Sequence, residues 1–186
     1  MDMEKELEVE VKFRIGDPSE IAGKLRKIGA RMIDSGLERN IKYGGHGIDD
    51  TEDLLRLRSY AGRADITHKR KPENAPKGFK VMQETIVMID SFERGKKLLE
   101  ALGYRPVFVY EKKRQTWELG KVGILVDVMP LIGNFIEIEG SEDEIVATAG
   151  KLGLDMRDAI AKSYGDLFDK YCKVKGVAKD AFTFGD

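Results

Sequence analysis

One cysteine, Cys172, and two histidines, His46 and His68, are the only thiol and imidazole side chains in this chain of 186 residues. A lone thiol excludes an internal disulfide and a cysteine-based zinc centre, and two histidines leave a multi-histidine metal site unsupported. No apolar run approaches the ~20 residues of a membrane-spanning helix. The start, Met1-Asp2-Met3-Glu4, is acidic, unlike a signal peptide, so a cytoplasmic location is the default expectation. An excess of one charge is also missing: 32 Lys and Arg face 33 Asp and Glu, for a net charge of −1. Bulk basicity and aromatics interleaved with cations, the marks of a nucleic-acid binder, are therefore absent. Neither nucleic acid nor membrane is expected as a partner, and a homodimer stays open.

What the chain has is charge of both signs in a regular place. Charged residues are 35% of it and hydrophobic ones 41%, enough for one domain with a real core. Glu6-Leu7-Glu8-Val9-Glu10-Val11-Lys12-Phe13-Arg14-Ile15 alternates at strict period two, the mark of a strand with two unlike faces. One face is apolar. The other runs three carboxylates and then two cations along about 30 Å. Like charges two residues apart repel, so a solvated face is a poor explanation unless the pattern stands alone. It does not. Arg56 and Arg58 share a face in Leu54–Arg58, as do Thr67, Lys69 and Lys71 in Asp65–Lys71, and Lys112 and Arg114 in Phe108–Thr116. Asp127 stands among apolar residues in Gly123–Val128, and Glu137 and Glu139 recur at i and i+2. Several such strands predict an antiparallel barrel whose charges line a wet interior while helices cover its apolar exterior. An interior of Arg, Lys and Glu calls for a highly charged ligand, and carboxylate oxygens suit Mg²⁺ or Mn²⁺.

Punctuation places the elements. Asp17-Pro18 starts a helix with the stripe Ile21, Leu25 and Ile28, ending near Gly29. Strands are expected over Leu37–Tyr43, Leu54–Tyr60, Asp65–Lys71 and Phe79–Met88, with Ala61-Gly62-Arg63 as a hairpin turn. The acidic stretch Asp49–Asp53 and the segment Pro72–Gly78 read as loops. Asp90-Ser91 caps a helix to about Leu102. Strands follow at Val107–Leu119, Val122–Met129 and Asn134–Glu139. Ser141 and Glu144 have capping-box spacing for a helix to about Leu152, and a last helix spans Met156–Tyr171. The expected division is a domain over 1–172 and a tail over 173–186 without periodicity, prone to fray.

Glu8-Val9-Glu10-Val11-Lys12 is an E-x-E-x-K motif. It is followed in order by Leu55–Arg58, Thr67–Lys69, Glu84, Glu111–Arg114, Val126-Asp127, Phe135–Glu139 and Ser163-Tyr164. Together these resemble the CYTH superfamily of triphosphate tunnel metalloenzymes. Ala101–Tyr104 followed by Glu111–Arg114 looks most like its class IV adenylate cyclase-like branch. The resemblance implies an α+β fold built on an eight-stranded antiparallel tunnel. It implies that Lys12, Arg56, Arg58, Lys69, Lys112 and Arg114 grip a triphosphate, and that Glu8, Glu10, Asp127, Glu137 and Glu139 form the metal side for Mg²⁺ or Mn²⁺. Glu84 joins either the metal shell or the cations. One stretch departs from the family: where many relatives have an N-x-Y-F-D-like run, Asn40-Ile41-Lys42-Tyr43-Gly44-Gly45 loses the acid.

The resulting expectation is a small-molecule enzyme of class IV adenylate cyclase type, converting ATP to cyclic AMP and pyrophosphate. The alternatives are hydrolysis of thiamine triphosphate, a nucleoside triphosphate or tripolyphosphate, and a non-catalytic polyphosphate binder. Lysines crowded by Arg56 and Arg58 are expected to have lowered pKa values, which makes Lys69 or Lys80 the candidate base. His68, Arg70 and Lys113 lie out of phase with the charged faces. Phe108, Tyr110 and Trp117 read as packing residues, and Gly44–Gly47 lacks the lysine and the strand–helix setting of a P-loop.

Overall fold

Nine strands and four helices make up the computed structural model, which describes residues 6–48, 53–72, 79–178 and 181–185. The elements are β1 (Glu6–Ile15), α1 (Pro18–Lys27), β2 (Arg31–Gly44), β3 (Asp53–Tyr60), β4 (Arg63–Arg70), β5 (Lys80–Ile89) and α2 (Phe92–Ala101). They continue with β6 (Arg105–Leu119), β7 (Val122–Met129), β8 (Gly133–Glu139), α3 (Glu142–Leu152), α4 (Tyr164–Lys175) and β9 (Ala181–Phe182). Residues 49–52 and 73–78, expected to be loop, lie outside the described residues, as does the side chain of Glu6.

The eight long strands close into an antiparallel barrel. β1 divides its length between two neighbours: Glu6–Glu10 pair with β5 and Glu10–Ile15 with β8. The circuit runs on through β7 and β6, and the β2–β6 ladder, from Arg31↔Glu118 to Gly44↔Arg105, closes it. Because side chains alternate across a strand, this closure sends the charged faces expected above to the inside, on β1 from Glu8 to Lys12, while Arg14 at the end of that strand is exposed. At the β3–β4 hairpin, Ala61 (φ 51°) and Gly62 (φ 74°) form a two-residue turn with both φ positive, whose twist matches that of the strands it joins.

The outside is apolar and covered. Val11 and Phe13 of β1, Ile124 and Val126 of β7, and Ile136 and Ile138 of β8 pack on Ile21 and Leu25 of α1 and on Ile145 and Leu152 of α3. Burying each such side chain contributes about 1.5–3 kcal/mol. α2 covers the opposite side, with Leu99 against Leu55 and Leu57. Gly95 lets it approach: a β-carbon there would run into Ile89 and lie 3.0 Å from Leu57 Cδ1.

Three expectations change at the edges. The second strand begins at Arg31 rather than Leu37, because pairing with β6 carries it through an otherwise exposed stretch. The last helix is broken: Met156–Asp158 is a 3₁₀ turn, Ile160 donates its N–H to the Lys12 carbonyl, and α4 starts only at Tyr164, under the Ser163–Asp166 capping box. The tail does not simply fray. Ala181–Phe182 pairs in parallel with Val109–Tyr110, and Phe182 is buried, stacked on Phe168 at 3.9 Å.

α4 also differs from the other three helices in where it packs. Tyr164 and Phe168 meet Tyr110, Met129 and Phe135, which share the inward face with Lys112, Asp127 and Glu137. This helix therefore lies over one end of the tunnel, not along its outer wall.

Candidate functional site

The inward faces enclose a cavity of about 1220 Å³. β1 contributes Glu8, Glu10 and Lys12; β3 contributes Arg56 and Arg58; β4 contributes Lys69; β5 contributes Lys80 and Glu84. From the far side come Lys112 and Arg114 of β6 and Glu137 and Glu139 of β8. Of the site residues expected from the sequence, Asp127 alone is absent from this lining; it is fully buried behind Lys112 and Arg114.

Charges held this far from water survive only when paired, and the pairing is dense. Lys12 Nζ lies 2.5 Å from Glu137 Oε1 and 3.3 Å from Glu10 Oε1. Arg114 forks onto Asp127, with Nε–Oδ1 2.7 Å and Nη2–Oδ2 2.6 Å, and its Nη2 also reaches Glu137 Oε2 at 2.6 Å. Lys112 Nζ is 3.1 Å from Asp127 and 3.3 Å from Glu38. Arg58 meets Asp65 at 2.8 Å. Lys80 donates to Glu10 at 2.9 Å. Burial pushes the Glu10 and Glu137 carboxyls up, but neighbouring cations, Lys12 foremost, outweigh it. Glu10 is brought down to about 2 and Glu137 falls well below the carboxylate range.

Lys69 is 2.5 Å from Glu8 and 3.2 Å from Glu84, so Glu84 sides with the cations. The lowered pKa expected for Lys69 is not found. Burial and Arg56 pull it down, but Glu8, Glu84 and Glu10 together raise it. Lys69 is therefore held as an ammonium.

The carboxylates divide into two groups. Asp127 and Glu137 sit among cations. Glu8, Glu10 and Glu139 each bring an oxygen within 4.8 Å of the others. Glu139 has no cation within ion-pair distance among the described residues. Burial, then Glu8, Glu10 and Glu137, push its pKa up to about 8. Three carboxylate oxygens gathered this closely fit a hard divalent cation; Glu8 is paired with Lys69 and Glu10 with Lys12 and Lys80, so Glu139 is the member whose charge is left for such an ion.

Glu38 escaped the sequence reading, and Tyr164 entered it only as part of a motif, without a role. Glu38 on β2 has no exposed surface and lies 3.3 Å from Lys112, 3.6 Å from Arg114 and 3.9 Å from Arg58, with Asn40 donating to it at 2.9 Å. Burial pushes its carboxyl up, but Lys112, Arg114, Arg56 and Arg58 bring it far below its ordinary range. The alternation Glu38-Ile41 to Lys42 was the available signal: Glu38, Asn40 and Lys42 are in phase. Tyr164 donates its hydroxyl to Asp127 Oδ2 at 2.9 Å, and its ring centroid lies 4.7 Å from Lys12 Nζ and 5.2 Å from Lys112 Nζ. Its motif was visible, but its role depends on α4 turning back over the tunnel.

His68, Arg70, Lys113 and Trp117 lie off the site, whereas Phe108 and Tyr110 line the cavity. His68 is half-exposed, 3.8 Å from Asp53, and Arg70 forks onto Asp53 at 2.7 and 2.9 Å. Lys113 lies over the Phe184 ring. Trp117 is in the outer core, and Phe108 and Tyr110 pack with Phe168.

A charged tunnel of this construction has relatives. A protein of Methanocaldococcus jannaschii named as a candidate adenylate cyclase is 27% identical over 173 residues, 87% of this chain and 98% of the relative. The crystal structure of a candidate adenylate cyclase from Vibrio parahaemolyticus superposes with a TM-score of 0.77 at 19% identity, covering 89% of this chain and 99% of that one. A protein of Hippeastrum, described as an adenylyl cyclase candidate with a dominant triphosphatase activity, has a TM-score of 0.61 at 15% identity, over 92% and 97% of the two chains. The CYTH domain family matches residues 6–164, from the first glutamate of β1 to the tyrosine over the tunnel, and the chain belongs to that family.

Proposed function

We propose that the tunnel binds a triphosphate together with Mg²⁺ or Mn²⁺ and acts on it as an enzyme. The observation that carries this reading is the gathering of three carboxylates within one cavity, Glu139 among them without a cation among the described residues, beside a set of buried cations. A plain anion receptor has no need of the trio. Glu8, Glu10 and Glu139 would hold the metal, which would supply positive charge against the phosphates. Lys12, Arg56, Arg58, Lys69, Lys112 and Arg114 would take the phosphates, Arg56 and Arg58 as bidentate forks and the lysines as point charges. Carboxylate partners hold all of these but Arg56 in place before the ligand arrives, so little reorganisation is left for the reaction. Lys69, kept as an ammonium between Glu8 and Glu84, serves as a cation for the phosphates. Lys80, on Glu10, stands where the substrate would meet the trio.

For the reaction itself, conversion of ATP to cyclic AMP and pyrophosphate is the first reading, supported by the Methanocaldococcus relative. The ribose 3′-hydroxyl attacks the α-phosphorus and the bond to pyrophosphate breaks. Hydrolysis is the second, supported by the Hippeastrum protein, which is described with a dominant triphosphatase activity. A product assay with Mg²⁺ or Mn²⁺ and, separately, ATP, thiamine triphosphate and tripolyphosphate decides. Cyclic AMP with pyrophosphate marks a cyclase, orthophosphate marks a hydrolase, and tight binding without turnover removes the enzyme reading.

A further inference from the structure

α4, which covers one end of the tunnel, is itself held down by β9. β7 pairs with β6 from Lys113 onward, and before that point, at Val109–Tyr110, β9 takes the edge in parallel. β9 lies past residues 6–164, the stretch shared with the family. A ladder this short is weak, so a side chain carries the attachment. Phe182 is 1% exposed and fills the space between helix and wall. Its ring centroid lies 3.9 Å from Phe168 and 6.4 Å from Tyr171 on α4, and 5.7 Å from Phe108 on β6. Beyond it, the Phe184 N–H reaches Glu111 Oε2 at 3.3 Å. The capping box at Ser163 is local to the helix and leaves its tilt open. Tyr164 and Phe168 stand at i and i+4 and so share a face of α4. What fixes Phe168 therefore fixes Tyr164, whose hydroxyl meets Asp127 and whose ring lies near Lys12 Nζ and Lys112 Nζ.

We infer that Phe182 is a positioning residue: β9 straps α4 onto the tunnel and so holds Tyr164 against Asp127, Lys12 and Lys112. The inference rests on the triphosphate reading above, which gives both lysines to the phosphates. Asp127 Oδ2 accepts from Lys112, Arg114 and Tyr164. With the helix lifted, that oxygen loses a donor and turns more of its charge on Lys112, drawing it away from the phosphate. Water would also enter at that end and weaken every charged contact with the ligand. Closure and ligand binding are therefore coupled, and such coupling is reciprocal. The strap tightens the hold on the ligand, and the ligand tightens the strap.

The single thiol of the chain reports on this closure. Cys172 lies on α4, half-buried against the cluster that contains Phe182, and exchanges with a disulfide reagent when the helix lifts. The test times that labelling in the whole chain, without metal, in the absence and presence of inorganic tripolyphosphate. Calorimetry gives the affinity for the same polyphosphate, and the fluorescence of Trp117, in the outer core, shows that the barrel stays folded. In the parent, saturating tripolyphosphate should slow labelling about tenfold, the worth of one hydrogen bond. Phe182→Ala should label at least about tenfold faster, bind tripolyphosphate about tenfold more weakly and lose the slowing. Phe182→Leu, which keeps an apolar side chain in the gap, should recover most of the affinity. Val174→Ala, exposed on the same helix, should change neither labelling nor affinity. Faster labelling in Phe182→Ala with unaltered affinity would make Phe182 a packing residue only and overturn the inference. Labelling in the parent that ignores bound tripolyphosphate would overturn it too, and that result needs no variant to fold. Absence of tripolyphosphate binding in the parent would remove the triphosphate reading, and the inference with it.

Discussion

Two walls of the same tunnel use carboxylates in opposite ways. Behind β6 and β7, Asp127 accepts from Arg114, Lys112 and Tyr164, and Glu38 sits among three cations. On β1 and β8, Glu8, Glu10 and Glu139 crowd together, and Glu139 has no cation within ion-pair distance among the described residues. The first wall is inaccessible and each of its carboxylates is paired; the second opens on the cavity, and there Glu8 and Glu10 are paired while Glu139 is not, among the described residues. Balanced charges hold cations where the ligand will find them. Unbalanced charges wait for a partner from outside, and an enzyme's ligands are found by looking for the imbalance.

The contrast makes graded predictions. Asp127→Ala strands two buried cations and a tyrosine hydroxyl, and should cost about 3–5 kcal/mol in urea unfolding. A loss under 1 kcal/mol would show that the back wall is not under charge balance. Arg56→Ala, which breaks no ion pair, should leave stability near the parent's yet weaken tripolyphosphate binding tenfold or more, at about 1.5–3 kcal/mol. Glu139→Gln removes a repelled charge, so stability without metal should hold or rise, while Mn²⁺ affinity falls at least about tenfold, as loss of a metal's support does. Unchanged Mn²⁺ binding would take Glu139 out of the metal group.

Glu38 gives a smaller effect, read on the acid side. Its folded pKa lies below the unfolded 4.5, so it stabilises above pH 4.5 and loses that contribution as pH falls towards the folded value. Stability should therefore decline less steeply with acid in Glu38→Gln than in the parent. Parallel slopes would show that Glu38 does not titrate on unfolding. Lys113→Ala, on the exposed face of β6, should change neither stability nor polyphosphate binding by more than about 0.5 kcal/mol.

The tunnel was legible because period-two alternation states which side chains share a face, and a strand has only two. Glu8, Glu10, Lys12, Arg56 and Arg114 could be assigned to one lumen on that ground. Which carboxylate answers which cation was not legible. Asp127 and Glu139 look alike in sequence, each an acid in an apolar strand. They part only because register sets Asp127 opposite Arg114 and Glu139 opposite Glu10. Glu38 was missed for the same reason: its partners lie on β3 and β6, and the ladder that brings β6 alongside closes the barrel. The broken last helix and β9 were hidden because short segments are fixed by what they dock on. Phe182 has no periodic neighbours, but Phe168 receives it.

The double allegiance of β1 has a consequence for how the protein is made. Its second half pairs with β8, and Lys12 meets Glu137 only when that strand exists. On the ribosome the first strand emerges with its charges and has to stay hydrated while nearly the whole tunnel is synthesised after it. Early strands cannot close on one another as a stable half-barrel, because β5 satisfies only the first half of β1. Pairing between distant parts of a chain is slow, so assembly should be late and cooperative. A nascent chain stopped before Gly133 should remain open to protease, and one released after Phe182 should become resistant in a single step.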